Sequence, residues 1–161
     1  MNSKLADTRP AEILLADDND NDVELMRQGL KRSQVPVNLR RAKDGEECLA
    51  FLRKEGAYAD APTPDLILLD LNMPKIDGRE VLVELASDEA LRSLPVVILS
   101  TSTRPDEVRK MYALGCRSYV AKPVDFEEFL KVVRSLAEYW FTTVVLPTAA
   151  SSERAKGRAR S

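Results

Sequence analysis

The chain has 161 residues, of which 31% are charged and 44% apolar, and its formal net charge is −2. This composition is that of a soluble globular domain, and the small negative charge gives no general attraction to nucleic acid. The chain contains no histidine, so a histidine general base, a histidine metal ligand and a phosphohistidine carrier are all excluded.

Signals for disulfide bonding and for membrane insertion are missing from the sequence. Cys48 and Cys116 form no CxxC pattern, which favours reduced thiols over a disulfide framework. No apolar run is long enough to cross a bilayer, and residues 1–10 lack the apolar core of a signal peptide. We therefore expect a cytoplasmic protein without a membrane partner.

Short apolar runs alternate along the chain with apolar residues at helical spacing. The runs predict five strands, at residues 12–16, 37–42, 65–69, 96–99 and 117–121. The spacing predicts five helices, the first at residues 22–32 and the last at residues 125–140. The second helix begins after Asp44, whose spacing from Glu47 resembles a capping box. Pro105 fits the first turn of the fourth helix and Gly115 fits its end.

The alternation of strands and helices predicts an α/β fold, in which helices cover both faces of a parallel sheet. The last helix carries an apolar stripe formed by Phe126, Phe129, Leu130, Val133 and Ala137. We predict a domain at residues 11–140, between an N-terminal extension at 1–10, an apolar extension at 141–147 and a disordered basic tail at 148–161.

Polar residues follow four of the five predicted strands. They are Asp17 and Asp18 after the first strand, Asp70 and Asn72 after the third, Thr101 after the fourth and Lys122 after the fifth. In a parallel sheet these side chains share the carboxyl edge, where ligands bind. Three clustered carboxylates repel one another unless a cation lies between them, and oxygen ligands favour Mg²⁺, with Mn²⁺ as the alternative. One divalent ion and one ammonium would neutralise three carboxylates, and an aspartate in such a site can accept a phosphoryl group.

Four sequence blocks resemble those of response-regulator receiver domains, in particular single-domain regulators of the chemotaxis type. The blocks are ILLADDND from Ile13, DLILLDLNMPKIDG from Asp65, ILSTS from Ile98 and SYVAKP from Ser118. The resemblance covers residues 11–140. It implies a flavodoxin-like, doubly wound sheet of five parallel strands in the order 2-1-3-4-5, with five helices.

The resemblance also implies roles for the residues at the carboxyl edge. Asp70 would be the phosphoacceptor. Asp18 and Asp70 would bind Mg²⁺ directly, together with the main-chain carbonyl of Asn72, and Asp17 would bind it through a water molecule. A sensor histidine kinase would be the phosphoryl donor.

Three further residues receive switch roles from the same resemblance. Thr101 would hydrogen-bond the phosphoryl group and Lys122 would pair with it. Tyr119 matches the aromatic position that turns inward when the threonine moves. The peptide bond between Lys122 and Pro123 is usually cis in this family.

The chain past the last predicted helix is unusually apolar. Tyr139, Trp140 and Phe141 precede the apolar residues 144–146, and a patch of this kind is typical of a contact surface. The alternative is that the segment packs on its own domain. The segment resembles the extension of small response regulators paired with bacterial phytochromes, which implies a homodimer and a light-sensing histidine kinase upstream.

The sequence favours a signalling switch without an output domain, and we do not expect an enzyme acting on external substrates. A Mg²⁺ phosphatase of the haloacid dehalogenase type is one alternative, but it needs a second carboxylate where Asn72 stands. A pseudo-receiver that binds partners without being phosphorylated is another alternative, although such domains usually lack a residue that this chain retains.

Overall fold

The structure, a computed structural model, describes residues 9–147. Five strands alternate in it with five α-helices. In chain order these are β1 Ala11–Ala16, α1 Asp20–Ser33, β2 Val37–Ala42, α2 Gly45–Arg53, β3 Leu66–Asp70, α3 Gly78–Ala86, β4 Val96–Ser100, α4 Pro105–Ala113, β5 Ser118–Ala121 and α5 Phe126–Glu138. The first eight residues of the chain and the predicted basic tail at 148–161 lie outside the described residues.

The strands form one parallel sheet in the order β2-β1-β3-β4-β5. This confirms the predicted strand number, direction and order. The three inner strands are apolar over nearly their whole length, and β3 and β4 are buried at every position. Such continuous apolar runs are expected where a parallel sheet is covered on both faces.

Successive residues of the inner strands point to opposite faces of the sheet and build two separate cores. One core contains Leu14, Ala16, Ile67 and Leu69 together with apolar residues of α2, α3 and α4. The other contains Ile13, Leu15, Leu66 and Leu68 together with apolar residues of α1 and α5. The sheet is therefore packed between two layers of helices, and the loops lie at the two ends of its strands.

Four of the five α-helices begin at a residue whose side chain accepts a hydrogen bond from the backbone N–H three positions later. These capping residues are Asn19, Asp44, Asp77 and Asp125. The predicted cap at Asp44 is thus confirmed. The fourth helix begins with Pro105, and Gly115 follows its end with a φ of 108°, also as predicted.

Two local expectations were wrong. Phe126, the first residue of α5, does not belong to the buried stripe of that helix. Its exposure is 45%, whereas that of Phe129, one turn further, is 4%. The Lys122–Pro123 peptide bond is trans, since no peptide bond within residues 9–147 is cis.

Within the same residues no helix is both long and apolar enough to span a membrane.

The segment after α5 packs on its own domain. It continues as a π-helical turn over Tyr139–Thr143, and Trp140 and Leu146 join the core between the sheet, α1 and α5. Phe141 is partly buried against the same core. Of the three aromatic residues proposed for a dimer contact, only Tyr139 is exposed, at 55%. The apolar extension thus completes the core of this chain, and only part of it remains available to a partner.

Candidate metal centre at the carboxyl edge of the sheet

Three of the predicted acidic residues meet where β1 and β3 end. Ala16, the last residue of β1, pairs with Leu69, so Asp17 and Asp70 follow neighbouring positions of the sheet. One carboxylate oxygen from each of Asp17, Asp18 and Asp70 lies within 4.8 Å of the others. Asp17 and Asp70 are buried, at 2% and 7% exposure, whereas Asp18 is exposed. The cluster is therefore closed toward the sheet and open toward solvent.

Backbone N–H groups orient the two buried carboxylates. The N–H of Asn19 donates to Asp17 Oδ1 at 2.9 Å, and the N–H of Asn72 donates to Asp70 Oδ1 at 3.2 Å. Both bonds span two residues, as in turns that aspartate forms with its own backbone. In each case Oδ1 is held by the loop, and Oδ2 faces the centre of the site.

Lys122 occupies that centre. It follows β5, and its backbone N–H donates to the carbonyl of Ser100 at 2.8 Å, which extends the β4–β5 pairing by one residue. Its ammonium nitrogen lies 3.3 Å from Asp17 Oδ2 and 3.6 Å from Asp70 Oδ2. The side chain is only 10% exposed. The structure thus brings the predicted lysine to the predicted carboxylates.

A fourth carboxylate, which we did not predict, makes the shortest contact with Lys122. Asp22 Oδ2 lies 2.7 Å from the ammonium nitrogen. Asp22 belongs to the first turn of α1, three residues after the capping residue Asn19. The acidic first turn was visible in the sequence, but the direction of its side chains depends on how α1 is rotated against the sheet.

Burial dominates the electrostatics of the acidic cluster. It raises the pKa of Asp17 from its ordinary value of 3.8 to about 6, although the N–H of Asn19 and the charge of Lys122 oppose the change. Burial also raises the pKa of Asp70, against the charge of Lys122. Burial alone would lower the pKa of Lys122, but the hydrogen bond with Asp22 and the charges of Asp17 and Asp70 raise it. Ionised carboxylates are therefore costly at this edge unless more positive charge is added.

The donor set fits a divalent cation. Asp17, Asp18, Asp22 and Asp70 carry four negative charges against the single positive charge of Lys122, so the cluster has a formal charge of −3 (−4 + 1). A divalent ion would reduce it to −1, not to zero as expected from the sequence, because Asp22 was not counted. Hard carboxylate oxygens are the donors that Mg²⁺ and Mn²⁺ prefer. Asn72 lies next to the cluster in the β3–α3 loop, and its carbonyl remains a predicted ligand.

Two glycines allow the loop after Asp70 to pack tightly. The N–H of Gly78 donates to the carbonyl of Leu71 at 3.0 Å, which closes the loop. A Cβ at Gly78 would lie 2.4 Å from the carbonyl oxygen of Asp70, and one at Gly45 would lie 2.0 Å from the carbonyl oxygen of Ile76. Any larger side chain would push the backbone, so these positions fix the loop that carries Asp70.

Two of the three predicted switch residues, Thr101 and Tyr119, are connected through the loop that follows β4. Thr101 follows β4 at the same edge and is exposed. The hydroxyl of Tyr119 donates to the carbonyl of Ser102 at 2.7 Å and lies 3.2 Å from Glu107 Oε1. Tyr119 is therefore bonded to the loop that carries Thr101. Glu107 was not predicted as a functional residue; its side chain is only 8% exposed although it is charged.

Comparisons with known proteins agree with this geometry. The family described as "Response regulator receiver domain" matches residues 13–134. Response regulator Rcp1 of Synechocystis is 41% identical over 140 residues, which cover 87% of this chain and 95% of that protein. Of the solved structures, the phosphorylated cyanobacterial phytochrome response regulator RcpA is 43% identical with a TM-score of 0.83, and covers 86% of this chain and 99% of its own. The Mn²⁺-bound form of Rcp1 is 40% identical with a TM-score of 0.81, at the same coverage. The chain therefore belongs to the response-regulator receiver domain family.

Proposed function

We propose that this protein is a two-component response regulator in which Asp70 accepts a phosphoryl group from a sensor histidine kinase. The observation that carries the proposal is the meeting of Asp17, Asp18 and Asp70 within 4.8 Å, with the Lys122 ammonium among them. A binding module without phosphoryl chemistry has no need for this costly arrangement. The alternative of a haloacid-dehalogenase-like phosphatase gains no support, because the position two residues after Asp70 is held by Asn72.

The geometry around Asp70 suits a nucleophile. The N–H of Asn72 binds Oδ1 and fixes the carboxylate plane, while Oδ2 faces the Lys122 ammonium at 3.6 Å. Attack of a carboxylate oxygen on phosphorus would break the P–N bond of a phosphohistidine and form an acyl phosphate, with the imidazole leaving and recovering its proton. Lys122 would hold the phosphoryl oxygens by charge, and Thr101 would donate its hydroxyl to them.

The proposed metal ligands are Asp17, Asp18 and Asp70, with the main-chain carbonyl of Asn72. We propose Mg²⁺ as the ion, with Mn²⁺ as the alternative; the Mn²⁺-bound structure of the relative Rcp1 supports a divalent ion in general. When bound, such an ion would neutralise charge on the phosphoryl oxygens. The carboxylates themselves would form the metal site: Asp17 and Asp70 are buried on its inner side, and Asp18 is exposed on its solvent side.

The output would come from the surface formed by α4, β5 and α5. A shift of Thr101 toward the phosphoryl group would pull the loop that also contains Ser102, and the Tyr119 hydroxyl is bonded to the Ser102 carbonyl. Movement of Tyr119 would then change this surface. No nucleic acid is needed for this mode of action, and we propose a cytoplasmic protein that acts by contacts with other proteins.

A light-sensing kinase is the upstream partner that we propose. The support is the likeness to RcpA, which is a cyanobacterial phytochrome response regulator, over 99% of its chain. We also propose a homodimer. Its contact would include Tyr139 and Val145, which are 55% and 73% exposed, whereas Trp140 and Phe141 would support it from the core side.

The test is Mg²⁺-dependent phosphorylation by acetyl phosphate, measured as intact mass. We expect one phosphoryl adduct on the wild type, none on Asp70→Asn and none when a chelator is present. The matched control is Asp60→Asn, which removes an exposed aspartate outside the cluster and should keep the adduct. An adduct on Asp70→Asn would overturn the assignment of the nucleophile. Absence of any adduct with both acetyl phosphate and a panel of histidine kinases would favour the pseudo-receiver.

A further inference from the structure

The contact between Lys122 and Asp22 suggests a role for Asp22. Of the three carboxylates around the ammonium nitrogen, Asp22 is nearest at 2.7 Å, Asp17 follows at 3.3 Å, and Asp70 lies at 3.6 Å. The first two distances are hydrogen bonds and the third is an ion pair without one. In this state Lys122 is therefore bound by Asp22 and Asp17 rather than by the proposed phosphoacceptor.

Asp22 is held firmly in this position. Its backbone N–H donates to Oδ1 of the capping residue Asn19 at 3.1 Å. The next residue, Val23, is 6% exposed and anchors the helix in the core. The Asp22 side chain is 21% exposed and the Lys122 side chain is 10% exposed, so solvent screens the pair only in part. Asp22 is thus a fixed negative charge on the α1 side of the ammonium.

We propose that Asp22 is a positioning residue that holds the Lys122 ammonium and competes for it with the phosphoryl group on Asp70. This inference rests on the proposed function. Phosphorylation replaces the single negative charge of Asp70 by about two. With a divalent ion bound, the formal charge of the cluster would then be −2, from Asp17, Asp18 and Asp22 at −3, phosphoaspartate at −2, the ion at +2 and Lys122 at +1. Asp22 would oppose the phosphorylated state in two ways, since its carboxylate repels the phosphoryl group and binds the same Lys122 ammonium.

The negative charge of Asp22 should have the opposite effect on the binding of a divalent metal ion. Without a phosphoryl group, the Asp22 carboxylate adds negative potential at the cluster and holds the Lys122 ammonium closer to itself than to Asp70, and both effects favour a divalent cation. Removal of the charge should therefore weaken Mg²⁺ binding and strengthen binding of a phosphoryl mimic. A substitution that merely disturbed the fold would weaken both.

The experiment compares the wild type with Asp22→Asn, Asp20→Asn and Asp70→Asn. Asp20 is the matched control, because it belongs to the same helical turn and carries the same charge but pairs with Arg41 at 2.8 Å. Mg²⁺ affinity is measured by calorimetry in the absence of other ligands. Beryllofluoride affinity is measured at saturating Mg²⁺ from the bound fluorine-19 resonance, and thermal unfolding checks that each variant is folded.

We expect Asp22→Asn to bind beryllofluoride about five-fold more tightly and Mg²⁺ several-fold more weakly than the wild type, as for the loss of one partly buried ion pair. Asp20→Asn should change both affinities by less than about two-fold. In a crystal structure of the wild type with Mg²⁺ and beryllofluoride, the Lys122 nitrogen should lie beyond hydrogen-bond distance of Asp22.

The possible failures are distinct. If the wild type does not bind beryllofluoride, or if Asp70→Asn binds it equally well, the proposed function is wrong and this inference is wrong with it. If Asp70→Asn abolishes binding but Asp22→Asn behaves like Asp20→Asn, or binds beryllofluoride more weakly, the proposed function stands and the role of Asp22 is wrong.

Discussion

Arg79 Nη2 lies 2.7 Å from Oε2 of Glu107, and this ion pair joins the first turn of α3 to the first turn of α4. Oε1 of Glu107 also lies 3.2 Å from the hydroxyl oxygen of Tyr119. Arg79 directly follows Gly78, which packs against the carbonyl of Asp70. Tyr119 is therefore tied to the loop of the proposed phosphoacceptor by a route that does not pass through Thr101.

This network should make stability depend on pH. The hydrogen bond from Arg79 lowers the pKa of Glu107 below its ordinary value of 4.5. A lowered carboxyl pKa contributes stability above the pKa of the unfolded chain, and the contribution is lost as the pH falls through the lower, folded value. We expect Glu107→Gln to reduce the free energy of unfolding by about 1–2 kcal/mol at pH 7, and the difference from the wild type to shrink below pH 4.5.

Urea denaturation at pH 7 and at successively lower pH would measure this dependence. Glu128→Gln is a suitable control, because Glu128 is 58% exposed and forms a surface ion pair with Lys131 at 3.3 Å. The control should leave stability within about 0.5 kcal/mol of the wild type. An equal loss in both variants, or a loss in Glu107→Gln that persists unchanged in acid, would contradict the role of the Arg79–Glu107 pair.

The tight loop after Asp70 gives a second prediction. Gly78→Ala would place a Cβ 2.4 Å from the Asp70 carbonyl oxygen and 2.8 Å from Leu71 Cα, so the backbone must move. We expect a loss of at least about 2 kcal/mol in the free energy of unfolding, and a loss of Mg²⁺ affinity because Asp70 moves with the loop.

Gly56→Ala separates this steric effect from the general effect of replacing a glycine. Gly56 has a φ of 57°, but beyond its two chain neighbours no atom of the described residues lies within 4 Å of an added Cβ. Its substitution should cost about 1 kcal/mol and leave Mg²⁺ affinity unchanged. Calorimetry and chemical denaturation measure the two quantities, and wild-type Mg²⁺ affinity in Gly78→Ala would show that the loop does not position Asp70.

The sequence was sufficient to predict Asp17, Asp18, Asp70 and Lys122 as one cluster, for a simple geometric reason. In a parallel sheet the residues that directly follow the strands all lie at the carboxyl ends of the strands. Knowing where each strand ends is therefore enough to predict that these residues are close together. Asp22 and Glu107 could not be found in this way. They lie on helices, and whether a helical side chain faces the cluster or solvent depends on the rotation of the helix, which tertiary packing decides.

The apolar segment at the end of the described chain was harder to interpret from sequence for a different reason. Trp140 and Leu146 are as apolar as residues of a partner interface, and apolar composition does not distinguish burial within one chain from burial between two. Phe126 shows the reverse case, since it matches the spacing of the α5 stripe but is 45% exposed in the first turn of the helix. Periodicity predicted the face of the helix, but not where along the helix the burial of that face begins.

Trp140 and Tyr139 therefore make a matched pair for testing the extension. Trp140 is 8% exposed, and Trp140→Ala should cost about 3–5 kcal/mol, as for a large aromatic residue removed from a core. Tyr139 is 55% exposed, and Tyr139→Ala should change stability by less than about 1 kcal/mol. If the proposed dimer exists, Tyr139→Ala should weaken it while the monomer stays folded.

Chemical denaturation and sedimentation velocity distinguish these outcomes. A Trp140→Ala variant that is as stable as the wild type would mean that the extension does not pack on the core. A dimer constant unchanged in Tyr139→Ala would remove the exposed part of the extension from the dimer contact.

The acidic cluster should also limit the stability of the metal-free protein. Burial raises the pKa of Asp17 from 3.8 to about 6, so keeping this carboxyl ionised at neutral pH costs free energy in the folded state. A rise of the pKa from 3.8 to about 6 corresponds to at most about 3 kcal/mol. In chelator at pH 7.5, Asp17→Asn should therefore raise the free energy of unfolding by about 1–3 kcal/mol.

The difference in stability between Asp17→Asn and the wild type should become smaller or change sign when Mg²⁺ is added. An ion that binds only the folded state stabilises it more the more tightly it binds, and Asp17→Asn lacks one of the proposed metal-binding carboxylates. Asp18→Asn is the matched control: Asp18 belongs to the same cluster but is exposed, so its substitution should give a smaller gain in chelator and a comparable loss of the Mg²⁺ effect. Urea titrations with chelator and with saturating Mg²⁺ measure both quantities. A metal-free Asp17→Asn variant less stable than the wild type would show that the Asp17 carboxylate is stabilised by Lys122 and Asn19 more than burial disfavours it.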